Sequence, residues 1–383
     1  MSTRLAVVIA AALVALPCSA AAAEVVPTHD VSVLHCGHML DTVAGKLLGE
    51  TTLIVDAGHI REIHKGAVDG KPYKDAATAA GGGYHYVDLP DSTCMPGLID
   101  SHTHLTFETS PTGYTDRFRR NTADYAIRST VYAKRTLLAG FTSVRNLGDG
   151  NYESLALRDA INAGLVPGPH VFTAGVPIGS TGGHADPTDG YRMDLAGDPG
   201  VKNGVINSPE DAWKALRLHY KAGVDVIKIM PSGGVLDESS SADNPQMTIA
   251  EIKAVVDAAH DYGLTVAAHA HGAEGIRRSI IAGVDSIEHG TFMDADDIKL
   301  MKEHGTWFVP TIIAGKYVTE MAAKPGYYPP QVARKALEVG PIIQATAARA
   351  YKAGVKIAFG TDAAVYPHGQ NAKEFEYMVQ AGI

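Results

Sequence analysis

Four times in this chain an amphipathic stretch ends in Ala-Gly just before a run of β-branched residues: Ala139-Gly140, Ala222-Gly223, Ala282-Gly283 and Ala353-Gly354. A glycine just past the last helical turn takes the left-handed conformation that ends a helix and turns the chain. Each of these helices therefore leads straight into a strand. Eight short strand-like runs follow Met95: Gly97–Ser101, Ser143–Asn146, His170–Ala174, Val224–Met230, Thr265–His269, Ser286–His289, Trp307–Thr311 and Lys356–Thr361. Helical patterns lie between them, among them Tyr125–Ala139, Pro209–Ala222, Ile249–Tyr262 and Pro330–Ala353. Strands that alternate with helices form parallel sheets, and eight such units predict an α/β fold, a (β/α)8 TIM barrel. A doubly wound sheet is the alternative.

The stretch before the barrel has a different rhythm. Asp30–His35, Thr52–Asp56 and Ile60–Ile63 alternate with a period of two around a turn at Ala57-Gly58-His59, and Tyr84–Leu89 is another short strand. The Ala/Gly-rich segment Lys71–Gly83 reads as a loop. Residues 24–94 are thus expected to form part of a small β-domain, and residues 95–383 the barrel. Residues 1–23 carry Arg4, a twelve-residue apolar run from Leu5 to Leu16, Pro17 and a small-residue stretch ending at Ala23. That is the pattern of a cleavable signal peptide, too short to span a membrane, and it predicts a periplasmic or secreted protein. Cys18 raises lipidation as an alternative, but Ala15-Leu16-Pro17 before it makes a poor lipidation site. Cys36 and Cys94 are then the remaining cysteines, too few for a disulfide framework, and are expected to be buried small hydrophobes. The net charge of −9, with no block of Lys or Arg, argues against nucleic acid as a partner.

Barrels of this type keep their chemistry at the C-terminal ends of the strands. The first run continues into His102-Thr103-His104, whose two imidazoles, two residues apart, share a face and can hold one divalent ion. Taken alone, such a pair says little. Lys228 lies inside the apolar run Val224–Met230, where a bare ammonium is costly. It either pairs with a carboxylate or is carboxylated by carbon dioxide into an anionic bridge between two metals. His269, His289 and Asp362 end or directly follow the fifth, sixth and eighth runs. Chance accounts poorly for a ligand-capable residue at so many strand tips.

This set, His102-x-His104, Lys228, His269, His289 and Asp362 in strand order, resembles the amidohydrolase superfamily in its binuclear, carboxylated-lysine form. The segments Pro96–His104 and Phe359-Gly360-Thr361-Asp362 carry its signatures. Within it the chain is most similar to the prolidase-like and imidazolonepropionase-like group, which includes dipeptidases, N-acyl amino-acid hydrolases and ochratoxin amide hydrolases. The resemblance implies two divalent metals, with zinc suited to the ligands. His102, His104 and Asp362 would hold the more buried ion, His269 and His289 the other, and carboxylated Lys228 would bridge them. Asp362 would also act as the base. Imidazolonepropionases and deaminases generally lack the bridging lysine, so Lys228 argues against that chemistry.

Expected substrate contacts are His271, two residues past His269, and His184, in the glycine-rich loop Ile178–Val205. The Ser232-Gly233-Gly234 turn is a candidate to present backbone N–H groups to a carbonyl or carboxylate, with an ordinary tight turn as the alternative, and the long loops Ile178–Val205 and Gly233–Gln246 are candidates to shape the pocket. Tyr114, Arg192 and Tyr366 are candidates to meet a substrate carboxylate. The resemblance implies two-metal hydrolysis of the amide bond of a short peptide or N-acyl amino acid, with room for a homo-oligomer. A lactonase or cyclic-amide hydrolase using the same metals is a second reading, and a non-catalytic metal-binding scaffold a third. Family members continue past the eighth strand with segments that complete a small β-sandwich, so the C-terminal part of that domain is expected to be missing here.

Overall fold

The computed structural model describes residues 30–237 and 241–383. The expected signal peptide and Cys18 lie outside the described residues. The chain divides into two compact units at Pro96/Gly97.

Among the described residues the first unit forms a five-stranded mixed sheet. Strands β1 (Val31–Asp41), β2 (Lys46–Leu48), β3 (Thr51–Asp56) and β4 (His59–Lys65) pair antiparallel in the order β2-β1-β3-β4, and β5 (Tyr84–Cys94) lies parallel to β1. It is one sheet, so the two packed layers of a sandwich are not present among the described residues. The expected loop at Lys71–Gly83 is instead a helix over Lys71–Ala79. Pro72 starts it, its alanines favour it, and Ala77 and Tyr73 pack on Val31, Val33 and Ile54. Tertiary burial decided this segment, since its apolar pattern is faint.

Cys36 and Cys94 are not separate thiols but a disulfide joining β1 to β5. Parallel pairing sets Met39 opposite Cys94, and a bulge between Cys36 and His38 brings the two cysteines together. Closing 58 residues is worth about 4 kcal/mol through the entropy of the unfolded chain. Reducing the bond, or a Cys36→Ser/Cys94→Ser variant, should therefore lower the first unit's stability by ~2–4 kcal/mol, seen as an earlier melting transition. Identical melting with and without reductant would refute it.

Among the described residues the second unit has seven parallel strands in two sheets. One is β6 (Leu98–Thr103), β7 (Phe141–Asn146) and β8 (His170–Thr173). The other is β9 (Val226–Ile229), β10 (Thr265–Ala270), β11 (Ser286–His289) and β12 (Trp307–Val309). Asp225 N–H donates to Thr173 O at 2.8 Å, and Ile178 bridges Ile229, so the sheets meet between β8 and β9. The expected eighth strand is not regular. Residues 356–363 nevertheless bond on both sides: Phe308 N–H to Lys356 O (2.8 Å), Ser101 N–H to Phe359 O (3.0 Å) and Asp362 N–H to His102 O (2.7 Å). Positive φ at Asp362 (59°) and Ala364 (121°) breaks the pleat there.

Helices follow the strands where expected, within a few residues at each end. They include Thr122–Leu138, Pro209–Ala222, Ile249–Asp261, Ala273–Ala282 and Pro330–Lys352. All four Ala-Gly glycines have φ between 87° and 95°, the left-handed exit a Cβ would disfavour. A helix at Ile312–Ala322 had no clear signal, because its even apolar content hides the period.

Strand alternation sorts the core into two faces. Ile227, Ile229, Val266 and Ala268 pack with Leu216, Val255, Ile276 and Ile280 from the helices. Val226 and Ala267 point the other way and meet Leu147 and Ala174. Lys228 and His269 stand two residues beyond Val226 and Ala267, so they share that second face, above its apolar layer.

Candidate metal centre

His102 is buried at the end of β6, and His104 follows the strand. His102 Nδ1 donates to Glu288 Oε2 at 2.8 Å, and His104 Nδ1 donates to Gly148 O at 3.0 Å. With each proton committed to Nδ1, each Nε2 presents a lone pair. Both lone pairs face the same oxygen: Asp362 Oδ1 lies 3.4 Å from His102 Nε2 and 3.3 Å from His104 Nε2. Three potential ligand atoms gathered around one point suit a cation.

Charge states agree with that geometry. Burial, helped by Lys228, lowers the His102 pKa to about 4, keeping the ring neutral. Burial alone would raise Asp362, but His102, His104 and Lys228 outweigh it and hold the carboxyl well below its usual range. At Glu288 the same contest, won by Arg145, His102 and Lys228, leaves a pKa of about 2.

A second cluster sits beside the first. Ligand-capable atoms of His269, His271 and His289 lie within 4.8 Å of one another, as do those of His102, His104 and Asp362. His269 Nε2 donates to Gly233 O at 3.2 Å, while His271 Nδ1 and His289 Nδ1 pair with Thr291 Oγ1 (2.8 Å) and Thr311 Oγ1 (2.7 Å). Burial drives the His269 and His289 pKa values well below normal and that of His271 to about 3. The two clusters touch, with the His102 and His289 rings 5.0 Å apart.

Lys228 is buried, its Nζ 3.4 Å from His102 Nε2. Among the described residues no carboxylate lies within ion-pairing distance of Nζ. Pairing with a carboxylate, one of the two sequence readings, is therefore not what the structure holds. Burial lowers its pKa to about 8, so the neutral, nucleophilic amine is a minority form near neutrality but far more abundant than in a free lysine.

Backbone strain collects at these tips. His289 (φ 70°) and Asp362 (φ 59°) adopt the left-handed region without being glycine, as does Thr311 (φ 51°) beneath His289. Such residues cost on the order of 1–3 kcal/mol each and persist where the surroundings over-determine them. Here a hydrogen bond to Thr311 and a strand tip bonded to β6 do so.

Supporting groups were not foreseen from the sequence. Glu288, fully buried on β11, orients His102 and accepts from Arg145 Nη2 at 2.8 Å and Ser286 Oγ at 2.6 Å. A carboxylate behind a histidine fixes its tautomer and raises its basicity as a ligand. Asp100 ties the first strand to the last: it accepts from His102 N–H (3.1 Å), Thr361 N–H (3.1 Å), Thr361 Oγ1 (2.6 Å) and Asn371 Nδ2 (2.7 Å). Arg145 and Glu288 are charged residues inside β-branched runs, the same signal that singled out Lys228.

The other expected residues divide. His184 lies beside the cluster, its ring 4.5 Å from that of His269. Ser232 accepts from His271 N–H at 2.9 Å, and Gly233 O receives His269, so this turn supports the histidines. The Gly233 and Gly234 N–H groups, expected to meet a substrate carbonyl or carboxylate, donate to Asn244 O at 3.1 Å and to Asp237 Oδ2 at 2.9 Å. Tyr114 stacks edge-on with Phe118 and Tyr191. Arg192 is exposed and paired with Asp194. Tyr366 does not lie in an open mouth loop: it is buried against Ile313 and Ala363.

Comparison with known proteins places the chain in a family. The sequence profile of the amidohydrolase family matches residues 93–382. A structure of a Xaa-Pro dipeptidase with bound methionine in the active site superposes with a TM-score of 0.86 and 44% identity, over 92% of this chain and 84% of that one. A prolidase complexed with N-methylphosphonate-L-proline gives 0.77 and 30%, over 92% and 84%. Ochratoxinase from Aspergillus niger is 31% identical over 303 residues, which are 75% of this chain and 61% of that protein. The chain thus spans less than two thirds of the length of this curated relative. The neighbours share a TIM-barrel-type α/β fold, in keeping with the parallel strands and intervening helices of the second unit. The chain belongs to the amidohydrolase family.

Proposed function

We propose that this chain is a two-metal hydrolase of amide or peptide bonds, acting on a short peptide or N-acyl amino acid. In this reading residues 97–383 form a closed (β/α)8 barrel and residues 30–96 part of a small β-domain. The observation that carries the proposal is the convergence of two imidazole lone pairs on Asp362 Oδ1, beside a second histidine cluster and a buried lysine with no carboxylate in ion-pairing distance among the described residues.

His102, His104 and Asp362 would hold one divalent ion, His269 and His289 a second, with carboxylated Lys228 between them. Zinc suits neutral imidazoles and carboxylates. Two bound ions would bring water's pKa toward neutrality and withdraw electron density from the scissile carbonyl. Asp362, ionised by its surroundings, takes a proton as water attacks and returns it to the leaving amine nitrogen. Carboxylation of Lys228 starts from the ammonium, which loses one proton to give the amine; carbon dioxide then adds to the nitrogen and a second proton leaves, so a costly buried cation becomes an anion that two metals would favour. Glu288 and Asp100 keep His102 in register. His271, with its nitrogen among those of the second cluster, and His184 are the residues assigned to orienting the substrate.

The disulfide supports the export reading of residues 1–23, since such bonds persist in oxidising compartments. Among the described residues no helix is long and apolar enough to cross a membrane.

Metal analysis of protein prepared with bicarbonate should return two divalent ions per chain. Dipeptides and N-acyl amino acids should be cleaved, and blocking the free C-terminal carboxylate should slow them. Turnover of lactones alone, or fewer than two ions per chain, would overturn the proposal.

A further inference from the structure

Lys335 lies on the helix Pro330–Lys352, far in sequence from every candidate ligand, yet its side chain is only 3% exposed. A buried ammonium is costly unless fully satisfied, and this one is held in detail. Its Nζ donates to Asp237 Oδ1 at 2.7 Å, to Asp237 O at 2.8 Å and to Gly234 O at 2.8 Å. The other carboxylate oxygen of Asp237 accepts from Gly234 N–H at 2.9 Å and from His184 Nδ1 at 2.9 Å. His184 N–H is anchored to Gln246 Oε1 at 2.9 Å, and its ring packs 4.5 Å from His269.

We propose that Lys335 is a positioning residue: through Asp237 it fixes the tautomer and direction of the His184 ring beside the second histidine cluster. The proposal rests on the functional reading above, in which His184 faces the substrate. Asp237 is the pivot. One of its oxygens is taken by Lys335, which turns the other toward His184. With the Nδ1 proton held by that oxygen, His184 Nε2 is left with a lone pair or a second proton for a substrate group. Gly234 supplies an independent sign of the same design. A Cβ at this position would overlap the His184 ring atoms Cε1, Nδ1 and Nε2, so the chain leaves out a side chain where the imidazole must lie. The turn that Lys335 clamps is thus the wall against which His184 rests. Its next residue back, Gly233, receives His269 Nε2. A lysine that served only to close the loop would need the two carbonyls and one carboxylate oxygen. The sharing of the second oxygen with His184 is what extends its reach to the site.

A double-mutant cycle separates the two roles. Lys335→Met should lower kcat/KM by roughly 10–100-fold, the usual cost of removing a group behind a functional side chain, with metal content unchanged. In a His184→Ala background the same substitution should cost less than about twofold, because its effect runs through the missing ring. Gly234→Ala, which keeps the Lys335–Asp237 pair but pushes on the ring, should behave the same way and covers the case in which Lys335→Met folds poorly. Losses that simply multiply in the His184→Ala background overturn the inference. A crystal structure of either variant answers independently of turnover: the His184 ring should leave its place beside Asp237, and an unmoved ring refutes the proposal. Wild-type protein that cleaves no amide defeats the functional reading instead, without touching that ring position.

Discussion

Asp362→Asn is expected to lower kcat by roughly 10²–10⁴-fold, the range for losing a group that moves a proton in the reaction. Asparagine keeps the shape and one oxygen, so the fold should persist. The change acts on the charge. Asp362 sits 3.4 Å and 3.3 Å from two imidazole nitrogens and is held ionised by its surroundings. An amide there cannot accept the water's proton, and it would be a weaker ligand to an ion held between those histidines. Metal content should therefore fall together with turnover at low metal and recover at high metal, while kcat stays low. Recovery of full kcat at saturating metal would remove Asp362 from the chemistry and leave it as a ligand alone.

The second large effect concerns Lys228. Lys228→Met retains the volume of the side chain but removes the nitrogen to which, in the proposed function, carbon dioxide would add. Metal content is expected to drop to one ion or fewer per chain, and kcat/KM by more than about 100-fold, beyond what groups that merely support a ligand cost. The metal-free protein should respond in the opposite sense. A buried ammonium with no carboxylate partner among the described residues is replaced by an apolar chain of similar size, so its melting temperature should rise. Wild-type protein stripped of metal and reloaded without bicarbonate should regain activity more slowly than with it. Equal recovery, or a Lys228→Met protein that still binds two ions, would sink the carboxylation.

Much of the second unit was legible because its signals are local. A glycine after a helix, a period of two or 3.6, and a ligand-capable residue at a strand tip are all properties of a few neighbouring residues. Lys228 stood out for the same reason, a charge in an apolar run. What escaped was decided by partners distant in sequence. Cys36 and Cys94 are 58 residues apart and meet only because β5 runs parallel to β1. The helix at Lys71–Ala79 exists where an apolar sheet face needed covering. The segment after Lys356 was expected to pleat, but bonds to β6 and β12 hold it irregular, with Asp362 in a left-handed conformation.

The same division runs through the site. Residue type and spacing along the chain determined the candidate ligands, since an imidazole or carboxylate at the end of a buried parallel strand has one end of the sheet to face. Which groups stand behind them was decided by tertiary structure alone. Glu288 supports His102 across 186 residues and Asp100 grips Thr361 across 261. Lys335 reaches Asp237 across 98. Buried polar atoms must find partners wherever the fold brings them, and that need for satisfaction, not proximity in the chain, selects the residues that hold the candidate ligands in place.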